Sequence, residues 1–231
     1  MPIQWISDLL NLFFPRVCQV CGCQLNRQEE VLCLMCRSKL PRTGFSQHED
    51  NPVAEVFWGR THLRSATSFL FFNKGGSVQH LIHLLKYKNK KDTGVYLGEL
   101  FGFELKDSPL FRDIDVIIPV PLHPKKEQLR GYNQSYCIAS GIGTSMEKPV
   151  EKDILIRAVH TTSQTKKSRY ERWKNVKGIF TVQRPEAIRN KHILLIDDVL
   201  TTGATLEASA SVLLDIDEVK VSVATLAYTQ E

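Results

Sequence analysis

The segment His192–Thr205, HILLIDDVLTTGAT, decides the fold. Four apolar residues, Ile193–Ile196, lead into Asp197 and Asp198, then into Thr201-Thr202-Gly203-Ala204-Thr205, and then into a helical pattern, ATLEASASVLLDI, at 204–216. A short strand that is apolar on both faces belongs inside a parallel sheet, and a helix directly after it makes half of a βαβ unit. IDVIIPVPL (114–122) and EVKVSVATLAY (218–228) have the same texture, and a second helical pattern, NQSYCIASGIGTSM, follows at 133–146. The expected fold class is therefore α/β, a parallel sheet flanked by helices. Ligands of such sheets bind outside the carboxyl ends of the strands. Here those ends are PVPLHPKK (119–126) and DDVLTTGAT (197–205).

The second of these ends has the chemistry of an anion site. Gly203 permits a positive φ and a close backbone approach, so that several N–H groups can turn inward beside the positive end of the following helix. Thr201, Thr202 and Thr205 add hydroxyl donors. Two carboxylates repel a phosphate, but they accept hydrogen bonds from sugar hydroxyls or meet Mg²⁺ by way of a ligand. Acids for a ribose beside amides for its phosphate describe a ribose-5-phosphate site. Three other readings compete. Capping of an ordinary βα turn accounts for one Asp and one Thr, but not for the whole set. ILLIDD also looks like the acidic strand of a P-loop NTPase, yet no G-x-x-x-x-G-K-[ST] accompanies it. An acid/base pair is the weakest, because adjacent residues on leaving a strand point apart.

Five of the six cysteines lie within residues 18–36. Cys18 and Cys21 form one C-x-x-C and Cys33 and Cys36 another, with eleven residues between the pairs. That spacing suits a closed tetrahedral Cys₄ site for a structural Zn²⁺, whose binding energy would fold a segment too small for its own core. A redox C-x-x-C and free core thiols are the other readings of a single pair. Cys23 is able to take the place of Cys21, and Cys137 is expected to be a buried apolar residue.

The 231 residues suffice for one large core plus a small module, divided here at 1–42 and 43–231. A hydrophobic share of 42% excludes a disordered chain, and a net charge of +5 is compatible with phosphate-bearing partners without implying nucleic acid. No apolar run approaches the ~18–20 residues of a membrane helix. The opening MPIQWISDLLNLFFPRVC has no basic leader or small-residue cleavage site, and reads as an amphipathic helix stopped near Pro15. A cytoplasmic protein with reduced or metal-bound cysteines is expected. RSKLPRTGFSQHEDNP (37–52) reads as a linker, THLRSATSFLFFN (61–73) as a strand, and SVQHLIHLLKYKNKKD (77–92) and VYLGELFGFEL (95–105) as helices.

Two basic stretches complete the pattern. PVPLHPKKEQLRGYNQS (119–135) follows a buried strand and carries Lys125, Lys126 and Arg130. Between Thr161 and Lys191 nine Lys or Arg stand against two Glu, so the cationic excess of the whole chain is concentrated there. Tyr170, Trp173, Val176, Ile179 and Phe180 interleave with the charges, which favours a mobile site loop over a solvated face. A stretch that binds single-stranded nucleic acid would show the same mixture.

LLIDDVLTTGAT resembles the phosphoribosyl pyrophosphate (PRPP) motif of type I phosphoribosyltransferases at every position from Asp197 to Thr205. A Cys₄ knuckle, then PVPLHPKKEQLRGYNQS, then TTSQTKKSRYERWKNVKGIF, then that motif is an order similar to the ComF family (ComFC or GntX-like proteins). Lys166-Lys167 departs from the Gly-Leu of many relatives. The resemblance implies a phosphoribosyltransferase with structural Zn²⁺, using Mg²⁺ with PRPP, of unidentified acceptor and linked to natural transformation. Asp197 and Asp198 would orient the ribose, and Thr201, Thr202, Gly203, Ala204 and Thr205 would seat the 5′-phosphate. Arg130 and Lys125 would face pyrophosphate, with Arg169 and Arg172 closing over it. Residues 60–110 or the zinc module would choose the base. The rival expectation is a non-catalytic module that binds single-stranded DNA or a helicase of the competence machinery.

Overall fold

The computed structural model describes residues 15–157 and 179–230. Its centre is a four-stranded, wholly parallel sheet in the order β1-β6-β5-β2, formed by β1 (Ala66–Phe72), β2 (Val116–Pro119), β5 (His192–Leu200) and β6 (Lys220–Thr229). A separate antiparallel pair, β3 (Leu155–Arg157) and β4 (Phe180–Val182), stands beside it. The alternation of side chains explains the apolar run in β5. Leu194 and Ile196 enter one core, with Leu81, Leu97, Phe101 and Ile138, and Ile193 and Leu195 enter the other, with Val53, Phe57, Leu206 and Leu213.

The first core is covered by α3 (Ser77–Tyr87), α4 (Lys91–Lys106) and α6 (Gln134–Met146). α4 and α6 meet at unusually short range. A Cβ on Gly98 would stand 2.2 Å from the Ile138 carbonyl oxygen, and one on Gly141 2.0 Å from that of Val95. The second core is covered by α7 (Ala204–Leu214) and by the short α2 (Pro52–Glu55) with Phe57 behind it.

Three segments differ from their sequence reading. The expected linker 37–52 is packed rather than loose. Its first two residues end α1 (Leu34–Ser38), Arg42 bridges antiparallel to Leu70, and Asn51 caps α2 while its Nδ2 donates to the Ala66 carbonyl at 2.9 Å. Its polar residues serve buried backbone groups, a use that composition does not reveal. The helix expected over 77–92 ends at Tyr87, and Asn89, at φ 54°, turns the chain into α4. The stretch read as a basic loop contains α5 (Pro124–Arg130). Pro124 is pre-set at its first turn, His123 Nδ1 accepts from the Lys125 amide, and Gly131 ends it at φ 81°. The expected N-terminal helix and the basic loop that carries Arg169 and Arg172 lie outside the described residues.

Residues 18–40 are seated on the main body. Cys18, Leu25, Val31, Leu32 and Leu40 share a core with Phe101 and Leu105 of α4. Among the described residues no helix is long and apolar enough to cross a membrane.

Candidate functional site

β2 makes its last ladder bond to β5 from the Val120 amide to the Ile196 carbonyl, at 2.8 Å. Beyond that point β5 continues to Leu200 against β6 alone, pairing Asp197 with Thr225 and Val199 with Ala227. The sequence reading ended the strand before the acids, but the structure carries it through them. One side of the acidic segment is thereby left without a neighbouring strand, and a cavity of about 600 Å³ opens there. Asp197, Asp198, Thr201, Thr205, Ser135, Lys126, Arg130, Lys86 and Tyr87 are among its lining.

The two acids are held differently. Asp197 Oδ1 accepts from the Ser135 hydroxyl at 3.0 Å and from the Asp198 amide at 2.8 Å. Burial, and next the adjacent Asp198, push its carboxyl up to about 7. Asp198 is buried, with Oδ2 2.9 Å from the Lys86 ammonium. Oδ2 has no aligned hydrogen bond among the described residues, so that ion pair is what compensates it.

The Thr201–Thr205 turn forms a cup of about 40 Å³ beside Asp197. Gly203, at φ 76°, immediately precedes α7, and a Cβ there would lie 2.8 Å from Val56 Cγ1 and 3.0 Å from Phe57 Cε1. Glycine therefore meets both a backbone and a packing requirement. Arg60 pins the turn from outside: Nη1 donates to the Thr202 carbonyl at 3.0 Å, and Nη2 pairs with Glu207. Amides ahead of a helix, hydroxyls and a rigid loop suit a phosphate monoester.

Lys126 and Arg130 sit one helical turn apart on α5 and both line the cavity. Lys125 is not among the lining residues, because a helix directs neighbouring positions apart. Arg130 bonds Gln134 and lies over the Tyr87 ring, 5.7 Å from its centroid. Tyr87 is 67% exposed and His83 lies 5.0 Å from it, ring to ring.

The Sγ atoms of Cys18, Cys21, Cys33 and Cys36 all lie within 4.8 Å of one another. Tetrahedral bonds of about 2.3 Å would space four sulfurs by about 3.8 Å, so the set fits a metal such as zinc after a small contraction. Hydrogen bonding at Cys23, first through its backbone and then its side chain, draws the Cys21 thiol down to about 6, toward the thiolate that a metal needs. Cys23 Sγ is 3.2 Å from Cys21 Sγ, and Cys137 is buried.

Residues 135–231 match the family model described as phosphoribosyl transferase domain. Competence protein F of Haemophilus influenzae is 29% identical over 207 residues, 87% of this chain and 86% of that protein. Competence protein ComFC of Bacillus subtilis is 29% identical over 205 residues, 83% and 81% of the two chains. The chain is thus similar to these competence proteins along most of its length. It has the type I phosphoribosyltransferase fold, with a four-cysteine cluster near its N-terminus. A solved structure titled glutamine PRPP amidotransferase from B. subtilis, complexed with ADP and GMP, aligns at 17% identity and a TM-score of 0.43. That alignment covers 61% of this chain and 30% of the other.

Asp197, Asp198, Arg130, Thr201 and Thr205 thus meet around one cavity, and Thr202, Gly203 and Ala204 complete the cup next to it. Lys86, Ser135 and Arg60 belong to the same assembly and were not singled out from sequence. The basic last turn of α3 was the one visible sign of Lys86.

Proposed function

We propose that the cavity binds PRPP and that the protein transfers its ribose-5-phosphate unit between pyrophosphate and an acceptor nitrogen. The observation that carries this reading is the meeting of three chemistries around one cavity and the cup beside it. A phosphate cup at Thr201–Thr205, an acidic pair at Asp197 and Asp198, and the cations Lys126 and Arg130 supply one chemistry for each part of PRPP. Cleavage at the anomeric carbon builds positive charge on the sugar, as in glycoside chemistry. The protein's tasks are to hold the ribose still through its hydroxyls and to stabilise the departing pyrophosphate.

Asp197 and Asp198 accept from the ribose hydroxyls, the cup amides donate to the 5′-phosphate, and Arg130 with Lys126 faces the pyrophosphate. Arg169 and Arg172 of the basic loop are proposed to close over it. Mg²⁺ would enter on pyrophosphate oxygens, because Asp198 Oδ2 is already engaged by Lys86. Zn²⁺ is proposed for the four cysteines, as a structural ion that fixes residues 18–36 onto α4. The boundary near residue 42 then separates a metal-held module from the transferase, and a cytoplasmic location fits its free thiols.

The names of the relatives support a second reading. They are called competence proteins, and a non-catalytic module that holds single-stranded DNA or a helicase through the basic loop would suit those names. Turnover separates the two. Protein incubated with PRPP, Mg²⁺ and a panel of purine and pyrimidine bases releases pyrophosphate if it is a transferase. No release with any base, together with salt-sensitive binding to single-stranded DNA, selects the module.

A further inference from the structure

The acidic pair carries its own cation. Lys86 projects from the last turn of α3, and its ammonium stands 2.9 Å from Oδ2 of a carboxylate whose side chain is 8% exposed. Among the described residues that oxygen has no aligned hydrogen bond, so Lys86 is its compensating charge. The lysine is held for the task. Tyr132, buried at the α5–α6 junction, donates its hydroxyl to the carbonyl of Leu85, the residue before Lys86, while Leu81, Ile82 and Leu85 anchor α3 in the core. The Lys86 side chain is 24% exposed and lines the cavity, so one side of the ammonium faces the place a ligand would occupy.

We infer that Lys86 is a positioning residue that takes the place of a divalent cation at the sugar end of this site, so that the ribose diol is bound by an Asp–Lys couple without metal. The inference rests on the ribose-phosphate reading above and deepens it. Two adjacent carboxylates in a strand would otherwise attract a hard cation. An ammonium already paired with one of them cancels that attraction. It also leaves two of its own N–H bonds to donate to sugar oxygens. Mg²⁺ is then needed at the pyrophosphate alone.

The test uses ribose 5-phosphate, which lacks the pyrophosphate, and zinc-loaded full-length protein in buffer freed of Mg²⁺ without a chelator. Calorimetry of the natural protein, Lys86→Gln and Lys86→Arg, each checked for zinc content and circular dichroism, reads the affinity with and without added Mg²⁺. The expected result is Mg²⁺-independent binding by the natural protein, a loss of about tenfold or more in Lys86→Gln, and recovery of that loss with millimolar Mg²⁺. Lys86→Arg should retain most of the affinity. Unchanged affinity in Lys86→Gln overturns the inference. So does a loss that Mg²⁺ does not restore, which marks a merely structural lysine. Binding by the natural protein only when Mg²⁺ is present overturns it as well, while sparing the ribose-phosphate reading. No binding under either condition overturns both.

Discussion

The Ser135 hydroxyl donates to Asp197 Oδ1 at 3.0 Å, tying the first turn of α6 to the acid at the end of the sheet. The bond favours the ionised carboxylate, against a burial and an Asp198 charge that together raise Asp197 to about 7. Because the folded value lies above the ordinary 3.8, this group's contribution to stability is fully present below about 3.8 and is lost as pH rises through 7. Ligand binding runs the other way, since sugar hydroxyls need the ionised acceptor. Affinity for ribose 5-phosphate should therefore increase between pH 6 and 8. The phosphate itself titrates near pH 6, so Asp197→Asn is the control. It should keep the lower step and lose the upper one, and Ser135→Ala should move the upper step to higher pH. Calorimetry across that range measures both.

Gly98 and Gly141 set how closely α4 and α6 approach, and the contacts a side chain would make there are with backbone, which yields little. Alanine improves intrinsic helix propensity by about 1 kcal/mol, but overpacking against a fixed neighbour costs about 1–3 kcal/mol. The clash should win, because a Cβ at Gly98 would lie 2.2 Å from the Ile138 oxygen. Gly98→Ala is expected to lower the melting temperature by several degrees. Differential scanning calorimetry checks the sign: a stabilised variant would show that the helices separate easily.

Removal of zinc should act beyond the cysteine segment, since Cys18, Leu32 and Leu40 share a core with α4. Chelation is expected to release amide protection across residues 18–40 and partly in α4, with β5 and β6 retained. Hydrogen exchange with and without chelator reads this directly. Metal analysis of freshly purified protein should find one zinc per chain, and protein folded without metal would refute a structural ion at this cluster.

The strand-to-helix segment His192–Thr205 was legible because its side chains must satisfy two cores and a turn, and each demand leaves a distinct residue type. Ile193–Ile196 announce burial on both faces, and Gly203 announces the turn. The four cysteines were legible from spacing alone. Lys86 was not, because a lysine in the last turn of a helix has an ordinary electrostatic reason to be there, and its partner lies 112 positions away (86 to 198). Ser135 and Arg60 were hidden for the same reason: each acts across a long separation on a backbone or carboxylate partner. Lys125 is the lysine that the sequence reading assigns to pyrophosphate, and PKKEQLR carries no local sign of which of its two lysines faces a ligand. In the helix that forms, Lys126 shares a face with Arg130 and lines the cavity. The acids sit inside the strand because β6 continues to pair with β5 after β2 has left it, a matter of sheet edges that no local pattern encodes.

Asp197 and Asp198 are proposed to hold the ribose of a bound PRPP. The most direct test is calorimetric titration of PRPP with Mg²⁺ into the natural protein and into an Asp197→Asn/Asp198→Asn variant of verified fold and zinc content. Saturable one-to-one binding by the natural protein is expected, with a loss of at least tenfold, or about 1.4 kcal/mol, in the variant. Equal affinity in the two proteins would contradict it.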